Sequence, residues 1–436
     1  MFTYYLRLAV TSMRRTPVLT GLMVLAVAMG IGASMTALTV LRAMAQNPYS
    51  HKNEVLRVPQ LDSWNPESAY DEEGNPPDQF TYRDARALLD AGKADYQSAQ
   101  YRTGLSIQPE QDSLLPFNAS IRVAGSDFFQ MFEPAFRYGN PWTRADDARK
   151  ARVVVLSAEL NDKLFGGENS VGRDVQMGDE RYRIVGVLEP WLPMPRVYDL
   201  QEPFEEAEDA FIPFETAVDK EMGAHGNNNC WRSPEKPGYA GQLESECIWM
   251  QFWVGFDDVA SVAAYRQFLD DYVRDQKALG RFERPLNNRL STIDEWMTRK
   301  EVVQRDSRTQ VWIAFGFLIV CIVNTVGLLL AKFLGRSGEV GVRRALGASR
   351  RQVFAQFLIE SGMVGVAGGV LGLLLTGLML AGMRALQDES YGHLTRIDTE
   401  MVGITLIVAI GATLLAGLIP TWRACQIAPA LQLKSQ

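Results

Sequence analysis

Charged side chains are missing from four long stretches of this 436-residue sequence, although 22% of all its residues are charged. Residues 16–41, 309–331, 361–383 and 401–422 contain no Asp, Glu, Lys or Arg. About 20 apolar residues in a helix cross the hydrocarbon core of a bilayer, and helices buried in a soluble protein rarely stay uncharged for so long. The sequence therefore predicts a membrane protein with four spans rather than a soluble protein with buried helices.

The sequence also lacks the motifs of nucleotide and hydrolytic chemistry. It contains no GxxxxGK[ST] phosphate loop, no HExxH and no GxSxG, and His51, His225 and His393 lie far apart. No pair of carboxylates stands out for acid–base catalysis. We predict no catalytic residue and no metal site, and an enzyme acting on a small molecule has no support in the sequence.

Cysteine is scarce, with four residues in the whole chain. Cys321 lies in the second apolar stretch and Cys425 lies just after the fourth. Cys230 and Cys247 share a segment rich in Gly, Asn and Pro, and an oxidising compartment would allow them to pair. We predict this disulfide. Two unpaired thiols, or a metal site with His225 that lacks an evident fourth ligand, are the alternatives.

Positive charge is unevenly distributed around the spans and predicts their orientation, because segments rich in Lys and Arg stay cytoplasmic. Basic residues cluster before the first span and after the second and fourth: Arg7, Arg14, Arg15, Lys332, Arg336, Arg343, Arg344, Arg350, Arg351, Arg423 and Lys434. We predict cytoplasmic segments at 1–15, 332–360 and 423–436, a large outside domain at 42–308 and a short outside loop at 384–400.

The N-terminal segment 1–15 is predicted to be amphipathic and to precede an uncleaved anchor. Ala43-Met44-Ala45 resembles a signal-peptide cleavage site. The apolar run before it is longer than the core of a typical secretory signal, which favours the anchor.

The outside region is predicted to form a mixed α/β domain. Strand patterns cover 54–58, 121–124, 152–156, 182–188, 210–213 and 248–254, and helical patterns cover 79–91, 157–165 and 259–278. Ser157 and Ser261 are expected at or near helix N-termini. A further helix at 292–304 has no strong breaker before the second span, so we expect one continuous helix that acts as a stiff lever.

Loop-like insertions interrupt this domain at 63–78, 199–209 and 222–243. One holds an acidic run of Asp199, Glu202, Glu205, Glu206, Glu208 and Asp209. We expect a solvated loop there, with a cation-binding site as the alternative. In the third span, the Gly365xxxGly369 and Gly368xxxGly372 repeats predict close helix packing.

The segment RSGEVGVRRALGASRRQVFAQFLIES, residues 336–361, stands between two spans. Glu339, Arg343 and Leu346 recur at helical spacing, Gly347 interrupts the pattern, and Ser349 could cap a second helix that rises into the third span. The pattern predicts a short surface helix followed by a turn. An interfacial anchor holding anionic lipids and a docking helix for a cytoplasmic partner both fit it.

This segment resembles the one that follows the second span in MacB-type, FtsX-like ABC transporter permeases, which reads close to E-I-G-x-x-R-A-L-G-A. VAGSDFF at 123–129, YRIVGV at 182–187, Asn324 and PTWRA at 420–424 also resemble that family. The resemblance extends from near residue 7 to residue 433. It implies four transmembrane helices and a MacB-like periplasmic core domain.

The resemblance also implies a function. MacB-type proteins carry an ATPase at the N-terminus of the same chain, and this sequence resembles the stand-alone permeases, which work with a separate ATPase dimer that binds ATP and Mg²⁺. The implied ATPase-docking residues are Glu339, Val340, Gly341, Arg343, Arg344, Ala345, Leu346, Gly347, Ala348, Arg350 and Arg351. ATP-driven closure of the ATPases would move the outside domains, which is called mechanotransmission.

We therefore expect a transport subunit of the bacterial inner membrane, paired with a second copy or a homologous permease. It would export a peptide, lipid-linked or other periplasmic substrate, with a periplasmic adaptor and an outer-membrane channel as further candidate partners and no nucleic acid. Lipoprotein release is one alternative. Another is an FtsX-like transmitter that activates a periplasmic partner such as a cell-wall hydrolase, although the outside domain is larger than such transmitters need.

Overall fold

The computed structural model describes residues 2–109, 114–386 and 399–426. The chain divides into two compact units. The helical unit contains Met1–Gln46 and Val303–Gln436, and the α/β unit contains Asn47–Val302. Parts of the predicted outside loop and of the predicted C-terminal tail, residues 387–398 and 427–436, lie outside the described residues.

The helical unit consists of six described helices. They are α1 (Phe2–Arg15), α2 (Pro17–Ala45), α11 (Arg305–Leu334), α12 (Ser337–Ala345), α13 (Arg350–Leu386) and α14 (Thr399–Gln426). Four of them, α2, α11, α13 and α14, are long and apolar enough to cross a membrane. Each contains one of the uncharged stretches, which agrees with the prediction of four spans.

Glycines on α13 allow α2 and α14 to approach closely. A Cβ atom added at Gly368 would lie 2.6 Å from Val27 Cγ1 of α2, and one added at Gly372 would lie 2.9 Å from Ile31 Cγ2. One added at Gly369 would lie 2.8 Å from Ala409 Cβ of α14. Any larger side chain at these positions would push the helices apart, so the predicted packing role of the glycines is confirmed.

The α/β unit is built on a ten-stranded sheet, counted over the described residues, in the order β10-β1-β9-β2-β3-β8-β5-β7-β4 with β6 against β2 and β7. The strands are β1 (Leu56–Gln60), β2 (Tyr96–Gln108), β3 (Phe117–Ala124), β4 (Phe136–Gly139), β5 (Val153–Leu156), β6 (Asp174–Met177), β7 (Glu180–Leu188), β8 (Ala210–Pro213), β9 (Gln251–Gly255) and β10 (Arg289–Ser291). The helices are α3 (Tyr82–Ala91), α4 (Phe128–Phe132), α5 (Arg144–Ala148), α6 (Ala158–Phe165), α7 (Phe214–Asp219), α8 (Gly238–Glu244), α9 (Ala260–Ala278) and α10 (Ile293–Arg299).

Both faces of the sheet are covered, because successive side chains of its strands enter two different apolar clusters. Phe252 and Val254 of β9 belong to one cluster, and Trp253 between them belongs to the other. This alternation is the two-residue period of a strand. Most neighbouring strands are antiparallel, but β5 and β7 run parallel, and so do β3 and β8, with Ala124 beside Pro213 at their carboxyl ends.

The predicted strands and helices of this unit are found, with ends shifted by a few residues. Ser157 caps α6 as expected, since its Oγ accepts a hydrogen bond from the Leu160 N–H at 3.0 Å. Ser261 lies near a helix N-terminus as expected, since it is the second residue of α9, which begins after Val259 without a side-chain cap. The sequence patterns missed the longest strand, β2.

The expected continuous helix into the second span is wrong. Helix α10 ends at Arg299, Glu301 adopts a left-handed backbone with φ of 46°, and α11 begins only at Arg305. Val302, which follows that turn, is buried in the second apolar cluster. A five-residue non-helical connection, residues 300–304, therefore replaces the expected stiff lever.

The expected solvated acidic loop is wrong for its two buried members, Asp199 and Glu208. In β3, the Nη2 atom of Arg122 lies 2.7 Å from Asp199 Oδ2, and the Nε–H of Arg122 donates to Glu208 Oε1 at 3.0 Å. Arg196 and the Tyr198 hydroxyl donate to Glu208 at 3.3 and 2.9 Å. Burial raises the pKa of Glu208, but the charges of Arg122 and Arg196 outweigh burial and hold it below its usual value.

Arg122 and Arg196 supply the positive charge that faces these two carboxylates. Among the residues that the structure describes, no group of three or more His, Cys, Asp and Glu side chains is arranged to hold a metal ion. The exposed members Glu202 and Glu205 contact Arg102 of β2. The acidic run therefore attaches its insertion to the sheet through ion pairs.

Candidate functional site: the surface helix α12 and the charges behind it

Helix α12 is a short helix followed by a turn, as the sequence pattern predicted. It ends at Ala345, and Gly347 adopts a left-handed backbone with φ of 102°, which lets the Ala348 N–H donate to the Arg343 carbonyl at 3.0 Å. Ser349 and Gln352 then exchange hydrogen bonds between their backbones and side chains at 2.9 and 3.3 Å. This reciprocal cap starts α13 at Arg350.

The inner face of α12 holds its charged residues against the chain itself. Arg343 Nη2 lies 2.7 Å from Glu339 Oε1, and Arg343 Nη1 donates to Gln356 Oε1 of α13 at 2.9 Å. Glu339 also lies 3.1 Å from Arg336. Two of the residues expected to contact an ATPase, Glu339 and Arg343, therefore attach α12 to α13.

Apolar packing strengthens this attachment. Val340 packs against a buried cluster that includes Phe333 of α11 and Val353 and Phe357 of α13. The rings of Phe333 and Phe357 are stacked with their centres 4.2 Å apart. The orientation of α12 is thus set by both its ion pairs and its core contacts.

The outer face of α12 is apolar. Val342 is 55% exposed and Leu346 is 84% exposed, and they lie one helical turn apart beside exposed Ala345. Arg344 beside them is half-buried, while Arg350 and Arg351 are exposed. The remaining expected residues lie in the same helix and turn: Gly341, Gly347 and Ala348. The site thus presents an apolar pair flanked by positive charges.

A buried cluster of charges lies where α11, α12 and α13 meet. Lys332 of α11 lies 2.7 Å from Glu360 of α13, and at most 1% of either side chain is exposed. Arg336 approaches the other Glu360 oxygen at 3.4 Å. Ser12 of α1 donates to Glu360, and Lys332 donates to Thr20 of α2 at 3.3 Å. The cluster connects these helices to α1 and α2.

Glu360 was not predicted from the sequence, where Lys332 indicated only the membrane orientation. The available signal was a single carboxylate at the start of an apolar span, directly before Ser361. Ionisable residues at the border of a membrane span are costly to bury unless they are paired, and such residues are often functional.

The predicted cysteine pair is bonded in the structure, where a disulfide links Cys230 and Cys247. Next to it, the Ile248 N–H donates to the Asn229 carbonyl at 2.8 Å, and the Asn229 N–H donates back at 3.1 Å. The bond and this bridge hold the insertion at 222–243 to the chain segment that leads into β9.

Comparison with known families assigns both units. The family described as MacB-like periplasmic core domain matches residues 20–272, which is more than half of the chain. The family described as FtsX-like permease C-terminal matches residues 311–429 and so contains α12.

Curated relatives are distant but cover most of this chain. The macrolide export ATP-binding/permease protein MacB of Pasteurella multocida is 23% identical over 73% of this chain and 43% of its own length. The protein of the same name from Azoarcus sp. is 24% identical over 68% of this chain and 40% of its length. The pyoverdine export ATP-binding/permease protein PvdT of Pseudomonas entomophila is 23% identical over 68% of this chain and 40% of its own length. The chain spans less than half the length of these relatives.

Two solved structures are also similar to part of this chain. The periplasmic region of MacB from Actinobacillus actinomycetemcomitans has a TM-score of 0.37 and 14% identity, and the match covers 60% of this chain and 99% of that region. The extracellular domain of the transporter YknZ has a TM-score of 0.34 and 12% identity, and the match covers 54% of this chain and all of that domain. On the two family matches, the chain belongs to the MacB/FtsX-like family of ABC transporter permeases.

Proposed function

We propose that this chain is the permease subunit that couples ATP hydrolysis by a separate cytoplasmic ATPase dimer to motion of the α/β unit. The names of the curated relatives, export ATP-binding/permease proteins, support a role in export. The 436 residues contain no phosphate loop, so ATP and Mg²⁺ would be bound by the ATPase.

The apolar outer face of α12 is the observation that carries this proposal. Val342 and Leu346 gain nothing from exposure to water, whereas burying them in a groove of the ATPase would stabilise the complex. The flanking arginines would direct the approach of an acidic surface. Helix α12 suits the transfer of force, because its ion pairs and its packed Val340 attach it firmly to α13.

The buried charges behind α12 offer a path for this force. Arg336 at the start of α12 contacts Glu360 of α13, which contacts Lys332 of α11. A displacement of α12 would therefore reach α11. The chain continues from α11 to the α/β unit through residues 300–304, so this connection would transmit tension or torsion rather than act as a continuous lever.

The remaining expectations follow from family membership. The permease would pair with a second copy or a homologous permease in the bacterial inner membrane. The chain would contact membrane lipids, its termini would be cytoplasmic and its α/β unit would be periplasmic. Peptide, lipid-linked or other periplasmic substrates would pass to an adaptor and an outer-membrane channel where these partners exist. The relatives named for export do not favour the FtsX-like transmitter alternative.

The substitution Leu346→Glu tests the docking surface. Leu346 and Leu115 of the α/β unit are both 84% exposed, so Leu115→Glu is a matched control. We expect Leu346→Glu to insert normally into the membrane and to lose ATPase co-purification and ATP-dependent transport, while Leu115→Glu retains both. Normal co-purification and coupling in Leu346→Glu would show that α12 does not dock the ATPase.

A further inference from the structure

Two short connections join the α/β unit to helices α2 and α11, and both insert an apolar side chain into the same cluster. The entry connection, residues 46–49, ends at Tyr49, and the exit connection, residues 300–304, contains Val302. Tyr49 is 5% exposed and Val302 is 4% exposed, and both belong to the second apolar cluster, which also holds Trp253 of β9. One core therefore holds both ends of the unit, although the two residues lie far apart in the sequence.

A hydrogen-bonded bridge joins the same two ends nearer the surface. Asn47 Nδ2 donates to Oδ1 of Asp294, in the first turn of α10, at 2.8 Å. Asn53 Oδ1 accepts from the Asp294 N–H at 3.1 Å and from Asn47 Nδ2 at 3.3 Å. Because α10 leads directly into the exit connection, this bridge ties the entry connection to the helix that precedes the exit connection.

The exit connection is itself fixed to α10 by backbone hydrogen bonds. The Glu301 N–H donates to the Thr298 carbonyl, and the Val302 N–H donates to the Met297 carbonyl, both at 3.1 Å. Met297 of α10 is buried in the second apolar cluster together with Val302. A movement of α10 would therefore carry the exit connection with it, and the bridge would pass the same movement to the entry connection.

Asn47 also makes a local contact that can be separated from the bridge. Its Oδ1 accepts a hydrogen bond from the Tyr49 N–H at 2.8 Å, which closes the turn of the entry connection. A carboxylate at position 47 could still accept from Tyr49, but it would present an acceptor to the Asp294 carboxylate and repel it. The substitution Asn47→Asp thus removes the bridge and retains the turn.

We propose that Asn47 and Asp294 are positioning residues that combine the entry and exit connections into one joint. This inference rests on the proposed function, in which movement of the membrane helices reaches the α/β unit. With the joint closed, α2 and α11 act on the unit at one place, formed by α10 and the second apolar cluster. With the bridge broken, the two connections would separate, and a movement of α2 relative to α11 would be lost before it reached the sheet.

Amide hydrogen exchange of the full-length chain in lipid nanodiscs tests the joint without ATP or a partner protein. Exchange of a protected N–H follows the population of its opened state, which rises when a stabilising contact is lost. We expect Asn47→Asp to speed exchange at Glu301 and Val302 by about fivefold or more, the effect of losing one hydrogen bond to a carboxylate. The double variant Asn47→Asp/Asp294→Asn exchanges donor and acceptor and should restore slow exchange there.

Asn65→Asp is the matched control, because Asn65 Oδ1 also accepts from the backbone N–H two residues on, that of Glu67, at 2.9 Å. It should leave exchange in the exit connection unchanged. Unchanged exchange at 300–304 in Asn47→Asp, even if exchange at 46–53 rises, would show two independent connections and overturn the proposal. Fast exchange at 300–304 that persists in the double variant would also overturn it, because the hydrogen bond would not be the cause.

The same measurement on the complex with its ATPase tests transmission. ATP should change amide exchange in the α/β unit of the original chain, and this change should be lost in Asn47→Asp and return in Asn47→Asp/Asp294→Asn. An ATP effect as large in Asn47→Asp as in the original chain would overturn the role of the joint. An ATP effect absent from the original chain would refute the proposed function instead, while exchange without ATP would still decide whether the joint exists.

Discussion

The ammonium nitrogen of Lys332 lies 2.7 Å from a carboxylate oxygen of Glu360, and neither side chain reaches the surface of the helical unit. Arg336 approaches the same carboxylate from the start of α12. A buried ion pair is held by mutual attraction against a large desolvation cost, so its two members depend on each other more than surface charges do.

Removing one member of the pair should destabilise the helical unit strongly. We expect Glu360→Met to lower the free energy of unfolding by about 3–5 kcal/mol, because it leaves Lys332 buried without its partner. The double variant Lys332→Met/Glu360→Met should recover most of this loss. Denaturant unfolding of the detergent-solubilised chain measures both effects.

The exposed pair of Asp271 and Arg274 is the control, and Asp271→Met should cost less than about 1 kcal/mol. A double variant less stable than either single variant would contradict the prediction.

Charge reversal on α12 should uncouple ATP hydrolysis from transport without preventing membrane insertion. Arg343→Glu/Arg344→Glu places a negative charge beside Glu339, in the position of the present 2.7 Å ion pair. ATPase activity and transport, assayed together in reconstituted vesicles, measure coupling. An ATPase that still co-purifies and couples normally would rule out a role for these arginines.

Gln356 separates a positioning role of Arg343 from direct docking. Gln356 is buried behind α12 and accepts a hydrogen bond from Arg343 at 2.9 Å. If Arg343 acts by positioning α12, Gln356→Ala should reduce the ratio of transport to ATP hydrolysis by a few fold. A decrease of this size corresponds to the free energy of one lost hydrogen bond. If Arg343 acts only by touching the ATPase, Gln356→Ala should leave this ratio unchanged.

The disulfide between Cys230 and Cys247 should be present in the mature protein and should stabilise the insertion at 222–243. Peptide mass spectrometry without reduction should find the two cysteines linked, and free thiols in oxidised protein would contradict this. Cys230→Ser/Cys247→Ser should lower the stability of the α/β unit by about 3 kcal/mol, the cost expected for opening a loop of this length. Limited proteolysis within the insertion should become faster in that variant.

The stability of the α/β unit should depend on pH through Asp147. Because the pKa of Asp147 is raised to about 7 by burial, the folded state holds its proton more tightly than the unfolded state. This contribution is favourable at low pH, decreases once the pH exceeds the unfolded pKa, and reaches its lower limit above about pH 7. Asp147→Asn should therefore be more stabilising at pH 8 than at pH 5, by on the order of 1–2 kcal/mol.

Thermal unfolding of the full-length variants at the two pH values measures this difference. Asp219→Asn is the control, since its hydrogen bond with Lys150 lowers the pKa of Asp219, which is the opposite direction. An effect of Asp147→Asn that is equal at both pH values would show that Asp147 titrates normally.

Local patterns predicted much of the α/β unit, but they failed where burial decided the structure. The strand at 210–213 and the Ser157 cap were predictable because alternation and capping act over a few neighbouring residues. Strand β2 was missed because its polar side chains are accommodated by β3 and β9 on either side. Glu208 was expected in water, since nothing near it in sequence indicates that Arg122 lies against it.

The four spans, the short helix between the second and third spans, and the family of the chain could be predicted from the sequence. These properties depend on the length of uncharged stretches and on residues that are neighbours along the chain. Folding, in contrast, attached α12 to α13 through Glu339 and Arg343 and left Val342 and Leu346 exposed, which no local pattern indicated. It also brought Lys332 to Glu360, and it placed Asn47 beside Asp294. Such contacts join residues far apart in sequence, and they exist only once packing has excluded water from between them.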